Sequence, residues 1–117
     1  MNNLAHGLYL SLNGTHGMDC DTLVIKLSSP TKYGWSFDKI DPDPTVNRPI
    51  FKKDFNNEIV NIYLYYSTEE NVWHTANVLH LDNQDNSFSE VKMALQDFSN
   101  HIKECIGQEP TLKLVLN

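Results

Sequence analysis

The stretch from Ser87 to Gly107 reads SFSEVKMALQDFSNHIKECIG, and its apolar residues recur at intervals of three or four positions. The residues of this apolar stripe are Phe88, Val91, Leu95, Phe98, Ile102 and Ile106. This spacing places them along one face of a helix of about five turns. Ser87 and Glu90 form an S-x-x-E capping box, and Gly107 suits the left-handed conformation that ends many helices. The stretch predicts one long amphipathic helix over residues 87–106.

Segments on both sides of this helix alternate in polarity, which is the period of half-buried strands. The clearest is residues 58–67, EIVNIYLYYS, in which Val60, Ile62, Leu64 and Tyr66 share one face and Asn61, Tyr63 and Tyr65 share the other. After the polar turn STEEN, residues 72–81, VWHTANVLHL, predict an antiparallel partner strand. Residues 111–117, TLKLVLN, predict a closing strand.

The N-terminal half shows the same alternation around residues 13–21, NGTHGMDCD. The alternating residues are Leu8, Leu10 and Leu12 before this segment and Leu23, Ile25 and Leu27 after it. We expect a β-hairpin with a wide loop at this point. Residues 33–40, YGWSFDKI, predict a weaker strand, and residues 41–57, with three prolines, are expected to be mostly loop.

An amphipathic helix and half-buried strands bury their apolar faces against each other. We therefore predict an α+β fold of two layers, with a mostly antiparallel sheet of five to six strands and the helix on one face. The expected element order is β-β-(β)-β-β-α-β. The 117 residues, 40% of them apolar and 21% charged, are typical of a single globular domain over residues 1–117.

The N-terminal residues have no basic segment followed by an apolar run, and no segment approaches the roughly 18 apolar residues of a membrane helix. We expect a cytoplasmic protein that does not bind membranes. Cys20 and Cys105 could form at most one disulfide, and a reducing cytosol favours two free thiols.

Residues 13–21 also gather His16, Asp19, Cys20 and Asp21 within six positions. Zinc accepts these ligand types, but a structural zinc site takes four ligands, usually as two spaced pairs, and no second pair follows. A turn whose polar side chains bond to the backbone is the favoured interpretation, and a metal site is the alternative. No metal or other cofactor is predicted.

Four histidines could form a cluster that binds a ligand. His74 and His80 lie six residues apart in a predicted strand and hence on one face, where His6 or His101 could join them. Because histidine is only intermediate in its preference for burial, two histidines on a solvated face of the sheet are the favoured interpretation.

Catalytic candidates are few. Cys105 lies on the apolar side of the helix, where a buried thiol is inert. Asp41 and Asp43 lie in IDPDPT, where the prolines keep the chain extended, so an exposed acidic loop is favoured over an acid/base pair. No catalytic residue is predicted, and enzymatic activity is a minority hypothesis.

Charge distribution carries the functional prediction. Between Lys53 and Lys92 there is no lysine or arginine, while seven acids occur there: Asp54, Glu58, Glu69, Glu70, Asp82, Asp85 and Glu90. The other parts of the chain hold eight acids against nine bases, so this segment accounts for the net charge of −6. Such a segment would repel a phosphate backbone, which argues against nucleic-acid binding and favours a basic protein partner.

Aromatic residues are interleaved with these acids. Tyr63 and Tyr65 should point away from Ile62 and Leu64, where they could anchor an interface unless residues 41–57 cover them. The predicted partner-binding residues are Glu69, Glu70, Tyr63, Tyr65, Trp73, Asp82 and Asp85. In general character the chain is similar to bacterial immunity proteins, antitoxins and phage-encoded inhibitors, although it carries no motif of one such family.

These observations predict a non-enzymatic acidic binding protein, an immunity protein or antitoxin-type inhibitor that neutralises a basic toxin or nuclease by occlusion. One alternative is an adaptor or subunit that binds a cellular protein through a sheet edge, for which TLKLVLN is the candidate strand. The other is a small enzyme or ligand carrier with a pocket between sheet and helix.

Overall fold

A computed structural model describes residues 5–55, 57–76 and 85–116 of the chain. The elements within these ranges are β1 (Ala5–Ser11), α1 (Cys20–Leu27), β2 (Ser36–Ile40), β3 (Pro49–Phe55), β4 (Glu58–Ser67), β5 (Val72–Thr75), α2 (Asp85–Ile106) and β6 (Thr111–Leu116). The predicted α+β class is confirmed, as is the long helix packed on the sheet.

The described strands form one open sheet in the order β2-β3-β4-β5-β1-β6, and each neighbouring pair is antiparallel. β1 lies between β5 and β6, so the first and last described strands pair with each other at one edge of the sheet. Phe51 pairs with Ile62, and Leu64 pairs with Thr75. This register collects the apolar residues of neighbouring strands on one side of the sheet.

The two faces of the sheet have different surroundings. On the first face, strand residues pack against Leu23 and Leu27 of α1 and against Leu95, Phe98 and Ile102 of α2. The strand residues of this core include Leu8, Leu10, Phe51, Ile62, Leu64 and Trp73. The opposite face, named here the second face, carries Tyr9, Lys52, Tyr63, Tyr65, His74 and Lys113, as the strand register requires.

The predicted N-terminal hairpin is wrong, because residues 20–27 form helix α1 instead of a strand. Leu23 and Leu27 are four residues apart and both buried, whereas Ile25 between them is 72% exposed. In a segment this short, alternation and an i, i+4 pair are nearly the same pattern, so periodicity alone does not separate helix from strand. The side chain of Asp19 caps the helix by accepting a hydrogen bond from the backbone N–H of Thr22 at 2.8 Å.

The expectation that residues 41–57 are mostly loop is also wrong for their second part. Pro49 begins β3, a position at which the missing N–H of proline is tolerated, and the adjacent Ile50 and Phe51 are buried. Pro42 and Pro44 do remain in the connection before β3.

Two other boundaries differ from the predictions. α2 begins at Asp85 rather than Ser87 and ends at Ile106, followed by Gly107 at a φ of +90°. β5 is described as far as Thr75, and the rest of the predicted 72–81 strand beyond Ala76 lies outside the described residues. Among the described helices, none has the length and apolar character needed to cross a membrane.

Candidate binding surface

The NGTHGMDCD segment connects β1 to α1 and belongs to the structural framework. The hydroxyl of Thr15 is buried, donates to the carbonyl of Leu12 at 2.6 Å and accepts from the backbone N–H of Trp73 at 3.1 Å. Cys20 is buried in the core, and this burial raises the pKa of its thiol. In the described parts of the chain, no three His, Cys, Asp or Glu side chains group closely enough to hold a metal ion.

Cys105 and His101 form the one close thiol–imidazole contact among the described residues, with Sγ 3.6 Å from Nε2. His101 is fully buried, and its Nε2 lies 2.8 Å from the carbonyl oxygen of Leu27. Since a carbonyl only accepts, Nε2 is the protonated nitrogen and Nδ1 accepts from the hydroxyl of Thr31 at 2.7 Å.

This contact has the properties of a structural pair. Burial lowers the pKa of His101, and burial together with the nearby Glu104 raises the pKa of the Cys105 thiol. A nucleophilic cysteine needs a free base nitrogen and a lowered thiol pKa, and this pair has the opposite arrangement.

The second face carries a cluster of aromatic rings around His74. The ring centroid of Tyr65 is 4.0 Å from that of His74, and the ring centroid of Tyr9 is 5.2 Å from it. Tyr65 is 37% exposed, so its orientation away from the core is as predicted. Burial lowers the pKa of His74 and raises the pKa of Tyr65.

Tyr63 lies next to this cluster and is partly covered by the β2–β3 connection. The guanidinium of Arg48 lies 6.0 Å from the centroid of the Tyr63 ring. The backbone N–H of Asp41 donates to the carbonyl of Arg48 at 2.8 Å and closes this connection at its base. The proposed cover by residues 41–57 therefore reaches Tyr63, and Arg48 also lies beside Tyr65, which keeps an exposed fraction of 37%.

Glu69 and Glu70 lie exposed in the turn between β4 and β5. Oε1 of Glu70 is 3.9 Å from Nζ of Lys113 on β6. Asp54 and Glu58 lie at the other end of β4, which has ten residues and is therefore about 30 Å long. The acids between Lys53 and Lys92 whose side chains the structure describes, Asp54, Glu58, Glu69 and Glu70, are thus divided between the two ends of β4.

The remaining predicted residues lie elsewhere. Trp73 is 2% exposed and belongs to the core, where its Nε1 donates to the carbonyl of Met18 at 2.7 Å. Asp82 lies outside the described residues, and so does His80. Asp85 begins α2, and its side chain is outside the described set.

The structure adds Tyr9, Arg48 and His74 to the surface. Tyr9 alternates with Leu8 and Leu10, which indicates a residue of the opposite face. The pairing of β1 with β5, seen at Ser11 and His74, is not visible in any local pattern.

A cavity of about 470 Å³ opens over this part of the second face. It is lined by Tyr9, Tyr65, His74, Glu69 and Glu70, among others.

Comparison of the chain with protein-family models, with curated proteins and with solved structures finds no match. This surface and the charges around it are therefore the features that indicate a function.

Proposed function

We propose that this chain is a non-enzymatic, cytoplasmic binding protein that neutralises a basic toxin or nuclease by covering its active site. The observation that carries the proposal is the adjacency of an exposed aromatic cluster, Tyr9, Tyr65 and His74, to the acidic turn of Glu69 and Glu70. Aromatic side chains supply contact area at protein interfaces, and nearby charges guide the encounter.

The division of the charges makes the proposal more specific. Lys52 and Lys113 lie on the second face, and Arg48 lies over Tyr63. Only part of the second face is therefore acidic. The acidic end is the β4–β5 turn, and Glu70 is partly compensated there by Lys113. The partner would therefore approach this end of the sheet with a basic patch.

The chemistry of the two cysteines supports a binding role over a catalytic one. Their raised thiol pKa values keep both protonated near neutral pH, which makes them poor nucleophiles. Leu95, Phe98 and Ile102 of α2 are buried against the sheet. A cavity of about 480 Å³ opens beside the start of α1, where Cys20 and Trp73 are among its lining residues, but the raised pKa of the Cys20 thiol does not favour catalysis there.

The experiment that tests the proposal begins with mild affinity purification from the native host, followed by identification of co-purifying proteins. Recovery of a basic toxin or nuclease whose activity falls at equimolar addition of this chain would support inhibition. Turnover of a substrate by the chain alone would contradict the proposal. Recovery of a partner whose activity is unaffected by this chain would contradict inhibition, although it would still support a binding role.

A sheet-edge adaptor is the second candidate, and one observation favours it. β6 pairs with β1 and is an edge strand of the described sheet, as an adaptor of this type requires. Leu112 on this strand is exposed. Slowed hydrogen exchange of the amides of β6 on partner binding, without protection around Tyr65, would favour this candidate.

A further inference from the structure

The cavity over His74 has aromatic sides and an acidic margin. The rings of Tyr9 and Tyr65 tilt by 52° and 59° against the ring of His74. Glu69 and Glu70 line the same cavity from the β4–β5 turn. Ring faces carry partial negative charge and attract cations, and carboxylates reinforce this attraction.

The groups around the cavity include two cations, Arg48 beside Tyr65 and Lys113 beside Glu70, as well as the two carboxylates. Nδ1 of His74 is shielded from solvent and has no hydrogen-bond partner among the described residues. A proton there would create a buried N–H without an acceptor, so the neutral imidazole is favoured and does not repel a cation. Lys113 on β6 places an ammonium group 3.9 Å from Glu70, so an incoming cation would compete with it for this carboxylate.

We propose that this cavity receives one lysine or arginine side chain from the basic partner, with the cationic group against Tyr9 and Tyr65 and beside Glu70. The inference rests on the proposed function and names the chemical group that the partner contributes. Charge complementarity selects this occupant, because Glu69 and Glu70 would repel a carboxylate and an apolar side chain would gain nothing from their charge.

The first test uses the isolated protein and requires no partner. Isotope-labelled protein is titrated with N-acetyl-arginine amide and with the neutral isostere N-acetyl-citrulline amide, and NMR shifts are followed at Tyr9, Tyr65 and His74. We expect saturable shifts at these residues with the arginine probe and much weaker binding of citrulline. Equal binding of the two probes, or shifts confined to other surfaces, would overturn the proposal.

Variants make the test specific. Tyr65→Leu should weaken arginine binding about two- to fivefold through loss of one cation–π contact. Tyr63→Leu is the matched control, because Tyr63 lies on the same strand and face but does not line this cavity. Lys113→Gln should tighten binding, since it removes the cation that competes for Glu70. Weaker binding by Lys113→Gln, or equal effects of the two tyrosine variants, would contradict the proposal.

Further measurements distinguish a cationic side chain from a small cationic molecule, and they test the proposed function and the cavity assignment separately. Tetramethylammonium and N-acetyl-lysine amide are titrated in the same way as the arginine probe. If tetramethylammonium binds more tightly than both amino-acid probes, the occupant is a small cationic molecule and the assignment to a side chain is overturned. Arginine binding at the cavity, together with failure to recover a basic partner, would contradict the proposed function alone. Recovery of a basic inhibited partner with unchanged affinity for Tyr65→Leu and Glu70→Gln would contradict the cavity assignment alone.

Discussion

Nε2 of His101 lies 2.8 Å from the carbonyl oxygen of Leu27, so a fully buried imidazole of α2 binds the last residue of α1. The carbonyls of a final helical turn have no partner within their own helix, and His101 supplies one. Thr31, just beyond α1, satisfies the other ring nitrogen. The bond that Nδ1 accepts from Thr31 requires the neutral imidazole, whereas the bond that Nε2 donates to Leu27 forms in either protonation state. The first of these bonds connects the packing of the helices to pH.

Stability should therefore fall in mild acid. Burial holds the pKa of His101 below its ordinary value of 6.5, so the unfolded chain takes up a proton at a higher pH than the folded chain. The stabilising contribution is complete above the unfolded pKa and is lost as the pH falls from there toward the folded pKa. Urea unfolding followed by circular dichroism, from about pH 8 to about pH 5, measures this change.

The control variant is His101→Gln, whose amide can donate to Leu27 and accept from Thr31 without titrating. Its free energy of unfolding should vary less with pH in this window than that of the unmodified protein. His74 also has a pKa lowered by burial and contributes in the same direction, so His74→Gln should be measured in parallel. An equally steep profile in His101→Gln would show that His101 does not cause the loss.

The apolar stripe of α2 provides a second prediction. Phe98 is fully buried between the sheet and helix layers, with its ring centroid 4.7 Å from that of Trp35. Phe98→Ala should lower the free energy of unfolding by about 3–5 kcal/mol through lost burial and the cavity left behind. Met93→Ala on the exposed side of the same helix should have little effect. Similar midpoints for the two variants in urea unfolding would contradict this packing.

The sequence predicts the long helix and β4 because each carries an unambiguous period over many residues. Phe98 and Ile102 belong to a stripe that only a helix brings together, and Ile62 and Leu64 alternate as a strand requires. The eight residues of α1 are too few to show an unambiguous period. The feature that distinguishes this helix from a strand is the N-terminal cap supplied by the side chain of Asp19. The prolines of residues 41–57 predict a loop, but Pro49 occupies the first position of β3, where a missing N–H is tolerated.

The candidate surface was predicted only in part, for a related reason. The outward orientation of Tyr65 follows from local alternation. The inward position of Trp73 depends on its pairing with Tyr66, which neighbouring residues do not specify. The grouping of Tyr9 with His74 depends on β1 entering the sheet beside β5, a contact between distant parts of the chain. Charge summed along the sequence likewise did not show that the acids occupy two ends of β4.

Asp97 should contribute measurably to the junction of α2 with the sheet. Its Oδ2 accepts from Nζ of Lys53 at 2.6 Å and from Nε1 of Trp35 at 2.9 Å, in a partly buried setting. Asp97→Ala removes the acceptor for both donors and should cost about 1–3 kcal/mol in urea unfolding. Glu104→Ala, an exposed acid on the same helix, is the control. A cost no greater than that of the control would contradict a stabilising role for these bonds.

Tyr65 and Trp73 should separate binding from folding. Trp73→Ala should lower stability by about 3–5 kcal/mol, because it empties a core position. Tyr65→Ala should lower stability much less than Trp73→Ala and should increase the rate of dissociation from the partner, since Tyr65 is partly exposed beside the acidic turn. Unfolding curves and surface-binding kinetics measure the two effects. A stable Trp73→Ala, or unchanged dissociation with Tyr65→Ala, would contradict the assignment of these roles.

Reversing the acidic turn should mainly slow association with the partner. Glu69 and Glu70 are exposed, and charges at the margin of an interface act on the encounter rate more than on dissociation. The double variant Glu69→Lys, Glu70→Lys should therefore associate more slowly and depend less on salt, measured by stopped-flow mixing over a range of ionic strengths. The same charge change at the other end of β4, Asp54→Lys with Glu58→Lys, is the matched control and should affect the rate much less. Equal slowing by the two double variants would mean that net charge, rather than the position of the turn, guides the partner.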